Sequence, residues 1–119
     1  MTDGWTWPVA QVLEAHDGDT LKVAVDQGFS VHSHVWIRLL DVRAPELSEP
    51  TGQVARAVLV DWLLKYAPDD RVQLTTYRSS QPLEIRFKNS FTRYIGVISA
   101  GDSTLNEWLR QRGYTDQGR

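Results

Sequence analysis

Between Thr51 and Tyr66 the apolar residues Ala55, Val58, Leu59, Trp62, Leu63 and Tyr66 fall at i, i+3, i+4, i+7, i+8 and i+11. That spacing draws one stripe down an amphipathic helix, predicted over about 52–66 and stopped by Pro68. On either side the period drops to two. Leu21, Val23 and Val25 alternate with Lys22, Ala24 and Asp26, and Leu83, Ile85 and Phe87 alternate with Glu84, Arg86 and Lys88. Each is the pattern of a half-buried strand. Further strands are expected over 5–16, 31–40, 72–77 and 91–99, from their β-branched and aromatic content. Asp17-Gly18-Asp19-Thr20 and Gln27-Gly28 carry turn chemistry, so the first third of the chain reads as a three-stranded meander. A loop is expected over Arg78 to Pro82, and Asn89-Ser90 can turn. A last helix is predicted over 104–112. Leu105, Trp108 and Leu109 form its inner face, Thr104 and Glu107 a capping box, and Gly113 its stop.

Strands, a helix, strands and a helix, opened by a meander, fit a five-stranded barrel of the oligonucleotide-binding (OB) type with two packed helices. Periodicity alone leaves other α+β folds open. The 119 residues are enough for one core and one domain, with a loose tail expected over 115–119. Hydrophobic content of 41% and charged content of 24% are ordinary for a globular protein. With no cysteine, disulfides and cysteine-ligated zinc are excluded. The N-terminus has no basic region followed by an apolar run, and no apolar run reaches membrane-spanning length, so a soluble, cytoplasmic protein is the expectation. A formal net charge of −2 argues against general coating of duplex nucleic acid. It leaves room for a local phosphate site built from a few arginines.

The densest candidate chemistry lies in Ile37-Arg38-Leu39-Leu40-Asp41-Val42-Arg43-Ala44-Pro45-Glu46. A strand there runs into a loop made rigid by Pro45, so that Arg38 and Glu46 are held at fixed places by one short segment. Taken alone, the two are ordinary surface ion-pair residues. Asp17 and Asp19 flank a tight turn, which offers oxygens to a hard cation but also serves a turn for backbone reasons. His32 and His34 share one strand face, a spacing some metal sites use, yet two imidazoles do not complete a site. His16, beside the aspartate turn, reads as a strand-end residue rather than a general base. Arg93 sits among Phe91, Thr92 and Tyr94 as a surface arginine along aromatic rings. Phosphate-binding glycine loops, nucleophile elbows and His-Glu-x-x-His helices are absent.

In order, Asp17-Gly18-Asp19-Thr20, Ile37-Arg38-Leu39-Leu40 leading to Ala44-Pro45-Glu46, Phe91-Thr92-Arg93, and Leu105-Asn106-Glu107 with Gly113 resemble the staphylococcal nuclease (thermonuclease) family. The resemblance runs from about Val9 to Tyr114. It implies an OB-type barrel and calcium-dependent cleavage of phosphodiester bonds in single-stranded DNA or RNA. By motif position, Arg38 and Arg93 resemble the catalytic arginines, Glu46 the catalytic glutamate, and Asp19 a metal-binding aspartate, with Ala44 able to offer its backbone carbonyl to the metal.

The chain departs from the family pattern at several positions. Arg43 stands where a second metal-binding aspartate is usual, Ala44 where threonine is common, Thr92 where glycine is usual, and Asn89 where an aspartate is common. The family's further C-terminal helix has no counterpart before Arg119. Two compensations are open: Asp41 as a substitute calcium ligand, or Arg43 itself as a phosphate-binding group. The expectation is therefore weakened calcium binding with residual nuclease activity. The competing expectation is a catalytically silent barrel that binds nucleic acid or a protein partner.

Overall fold

The computed structural model describes residues 4–67, 71–77 and 93–115. Among the described residues, six strands and two helices follow one another as β1 (Gly4–Asp17), β2 (Thr20–Asp26), β3 (His32–Leu39), α1 (Pro50–Tyr66), β4 (Val72–Tyr77), β5 (Arg93–Ala100), β6 (Ser103–Thr104) and α2 (Leu105–Gln111). The expected strand 83–87, the loop 78–82, the turn 89–90, Phe91, Thr92, Pro68 and the tail 116–119 lie outside the described residues.

β1 to β3 form the antiparallel meander. β1 is long enough to serve two neighbours, pairing with β4 over Gly4 to Pro8 and with β2 from Val9 onward. Register shifts after Val9, Val12 and Ala15 bend it from one side to the other. A parallel pairing of β3 with β5, from Trp36 opposite Arg93 to Leu39 opposite Gly96, closes the ring. The result is a closed five-stranded mixed barrel with two helices, an OB-like α+β fold.

Alternation decides what fills the barrel. Leu21 and Val23 on β2, Ile37 and Leu39 on β3, Leu74 on β4 and Ile98 on β5 point inward and are buried. The predicted helical stripe turns Ala55, Leu59 and Trp62 fully into the core, while α2 contributes Leu105 and Leu109. The Trp62 indole N–H donates to Ser103 Oγ at 2.9 Å, so its burial leaves no donor unpaired.

α1 begins at Pro50, two residues before the predicted start at about 52, because proline is tolerated in the first helical turn, where a missing N–H costs nothing. The capping box on α2 is half made. Thr104 Oγ1 accepts from Glu107 N at 3.1 Å, but the Glu107 carboxylate takes Arg110 Nη2 at 2.6 Å. Gly113, at φ +96°, ends the helix as expected, with Tyr114 N donating to Leu109 O at 3.1 Å. Among the described residues no helix is long and apolar enough to cross a membrane.

Candidate active site

The turn between β1 and β2 is not an exposed hairpin tip. Gly18, Asp19 and Thr20 are buried, and a Cβ at Gly18 would come within 2.7 Å of both Ala44 Cβ and Ala55 Cβ. Glycine lets the hairpin, the loop after β3 and the start of α1 meet there. Asp17 Oδ1 accepts from Asp19 N at 3.1 Å and sets the turn. Asp19 then faces the loop: its Oδ2 accepts from Ala44 N at 3.0 Å and its Oδ1 from Thr20 Oγ1 at 3.0 Å.

Arg38 leaves the outer face of β3 beside this carboxylate, with Nη2 at 3.9 Å from Asp19 Oδ2. Its Nη1 donates to Leu39 O at 3.1 Å and to Val42 O at 2.8 Å. Two carbonyls and one carboxylate thus fix the guanidinium plane, which removes much of the rotamer entropy an arginine otherwise loses on binding an anion. Val42, fully buried, anchors the loop. The Glu46 carbonyl accepts from Glu49 N at 3.0 Å. A Cβ at Gly52 would overlap that same carbonyl, so only glycine lets α1 approach so closely.

One groove of about 710 Å³ collects Asp17, Asp19, Arg38, Arg43, Ala44 and Glu46, with Glu49 and Tyr114 on its wall. A second groove, of about 420 Å³ between β1 and α1, has Asp26 and Arg71 as its only ionisable residues among those described and carries no comparable constellation. In the first, burial and then the adjacent Asp19 carboxylate push the Asp17 pKa up from 3.8 to about 6. Arg43 is exposed and makes no ion pair among the described residues.

Of the residues singled out from sequence, the groove therefore unites Asp19, Arg38, Arg43, Ala44 and Glu46. Asp41 is elsewhere. Its φ of +60° breaks the strand alternation that would have put it on the Asp19 side, and its carboxylate lies 3.7 Å from Arg110 Nη1 on α2. Arg93 opens β5 with its backbone opposite Trp36, and its side chain lies outside the described part of the molecule. His32 and His34 stand opposite Asp26 and Ala24 on β2.

Asp17, read from the sequence as a turn residue able to offer an oxygen to a hard cation, joins the same groove. Gly52 escaped sequence reasoning because it carried no local signal. Asn106 was visible only within the motif Leu105-Asn106-Glu107, with no role attached: buried, it donates to Leu40 O at 3.0 Å and Gly96 O at 3.2 Å and accepts from Ile98 N at 3.1 Å. It ties the end of β3 to β5 and α2.

Calcium normally collects about six to eight oxygens, and the donor set here fits it poorly. Both Asp19 oxygens are engaged by protein donors, two arginines share the groove, and no cluster of three or more acidic or imidazole groups suited to a metal occurs among the described residues. Comparison of the chain with protein-family models and with curated proteins finds no match.

Proposed function

We propose that this chain is a small phosphodiesterase of the staphylococcal nuclease type, acting on single-stranded DNA or RNA, with arginines carrying much of the charge a metal carries in that family. The observation that supports it most is the meeting of Arg38 and Asp19 at 3.9 Å in a groove also lined by Glu46 and Arg43. Those residues come from two separate segments, Asp19 from the first hairpin and the others from the stretch 38–46. Arg38 is immobilised before substrate arrives, and Arg43 is available to a second phosphate oxygen, so negative charge developing on phosphorus meets fixed positive charge. Glu46, at the groove wall, orients a water and takes its proton as the water oxygen bonds to phosphorus and the bond to the leaving ribose oxygen breaks. Arg93 is assigned to the same phosphate by its motif alone.

A second reading rests on Arg43 and on the protein donors that already occupy Asp19: a barrel that holds a phosphate group without cutting it. Digestion of single-stranded DNA and RNA with calcium present, wild type beside Glu46→Gln, separates the two. The nuclease reading expects cleavage by the wild type and a loss of about two orders of magnitude or more in the variant. Equal cleavage by both, or none by either, rejects it.

A further inference from the structure

Trp108, half-buried on α2, is where the two helices meet: its indole N–H donates to Val58 O at 3.2 Å, and Tyr66 meets its ring edge-on at 5.9 Å. Two cations converge on that ring. The Arg112 guanidinium lies 3.5 Å from the ring centroid and the Lys65 Nζ 5.6 Å from it, so the two charges are no farther apart than those distances laid end to end. Arg112 is held in place, because its Nη1 donates to Trp108 O at 3.0 Å, and Lys65 also rests 5.5 Å from the Tyr66 ring. Both residues are exposed, and neither makes an ion pair among the described residues. The carboxylates nearby are used elsewhere or stand apart. Glu107 and Asp41 both serve Arg110. Asp61 stands four residues before Lys65 on α1, a favourable helical arrangement for a salt bridge, yet the ammonium lies over the rings instead. One cation near a helix C-terminus is ordinary, since it meets the carbonyl dipoles there. Two drawn onto one ring without an acid between them repel each other, and an anion relieves that repulsion.

We propose that Lys65 and Arg112 form a phosphate-binding pair for the backbone of a single-stranded nucleic acid that leaves the groove across the C-terminal end of α2. This rests on the phosphodiesterase reading for the fate of the strand, though not for its binding. Arg112 immediately precedes Gly113 and Tyr114, which line the groove, so a strand crossing that wall passes onto the pair. A guanidinium lying over an indole still presents N–H groups at its edge, and those of Arg112 Nη2 and Nε donate to nothing among the described residues. With its plane already fixed, the arginine loses little freedom on meeting phosphate oxygens, while the lysine brings a point charge that follows the anion. Neither group reads a base, so the pair acts without regard to sequence. Continuity with a groove whose own arginines suit phosphate oxygens favours a nucleic acid over an acidic peptide.

The test is fluorescence anisotropy with end-labelled oligothymidylates in EDTA, so that binding is read without turnover. A strand of about twelve nucleotides lies within the span that one such barrel covers, and one of about four is the short reference. Each phosphate contact on a single strand contributes about 0.7 to the slope of log affinity against log salt. Lys65→Gln and Arg112→Gln are each expected to lower the slope for the longer strand by about that much, and the double variant by about twice as much, with a far smaller change for the shorter strand. Arg112→Lys, which keeps the charge, is expected to retain most of the slope. Should Arg112→Gln weaken the fold, Lys65→Gln carries the test alone, since Lys65 is exposed. A wild-type slope in the variants overturns the proposal, as does a wild type that does not bind the longer strand. Oligoglutamate that binds as tightly as the longer strand, and is released by the same substitutions, assigns the pair to an acidic protein partner and overturns it too. A slope that depends on the pair without any cleavage supports this site and rejects the nuclease reading. Cleavage with a slope indifferent to the pair does the reverse.

Discussion

The Ala44 amide donates to Asp19 Oδ2 at 3.0 Å, so the loop that carries Arg43 and Glu46 hangs on a carboxylate from the first hairpin. Asp19 thus has a task in the fold before any ligand arrives. Replacing it by alanine strands a backbone donor and takes the acidic partner from Arg38, a loss of about 2–4 kcal/mol. Asp19→Asn keeps an acceptor for Ala44 and is expected to lose much less. Urea denaturation gives the stabilities, and hydrogen exchange at the Ala44 amide locates the effect. Similar stability in both variants and the wild type would remove the latch.

Asp17 gives the fold a pH signature of unusual sign for an aspartate. With its pKa raised from 3.8 to about 6, the folded protein holds this proton more tightly than the unfolded chain. The contribution is fully present below about pH 4 and is lost as pH rises through about 6. Melting temperature should therefore fall across that window by more in the wild type than in Asp17→Asn, whose amide oxygen can still accept from Asp19 N. Parallel pH profiles for the two proteins would show that Asp17 titrates normally.

On the proposed nuclease reading, metal dependence turns on Arg43. Arg43→Asp replaces a cation by an oxygen donor beside Asp19 and changes the local charge by two units. Calcium titration by calorimetry should show tighter binding in the variant than in the wild type, and cleavage should become faster and more calcium-dependent. A wild type that binds calcium as tightly as the variant contradicts this account of the groove.

Asn106 supports the site from behind. Asn106→Leu preserves bulk but leaves the Ile98 N–H and the Leu40 and Gly96 carbonyls short of a partner, at a cost of about 2–4 kcal/mol. Chemical denaturation measures it. A loss under about 0.5 kcal/mol, the size of an ordinary surface change, would show that the network is not holding β3, β5 and α2 together.

Local patterns made the helices and the meander legible. The 3.6-residue stripe from Ala55 to Tyr66 and the alternation around Val23 each express which side of one element is apolar, and the structure buries those sides. Barrel closure was not local: Trp36 meets Arg93 across a long stretch of chain, and nothing in either segment names its partner. The charged cluster around Arg38 was visible because strand and loop are contiguous. Asp41 was misplaced because a single left-handed residue undoes alternation, and an aspartate tolerates that conformation well enough to give no warning. The raised Asp17 pKa depends on burial of the turn, which is a property of the assembled fold.

Gly18, pressed between Ala44 and Ala55, makes the groove a product of three stretches of chain that meet over one hydrogen-sized gap. The loop from Arg38 to Glu46, moved alone onto another barrel, would arrive without the floor that shapes it. A transplant would have to carry the Asp17 to Thr20 hairpin and the first turns of α1 with it. Homologous exchange at any one of these segments is then constrained by the size of the residues on the other two.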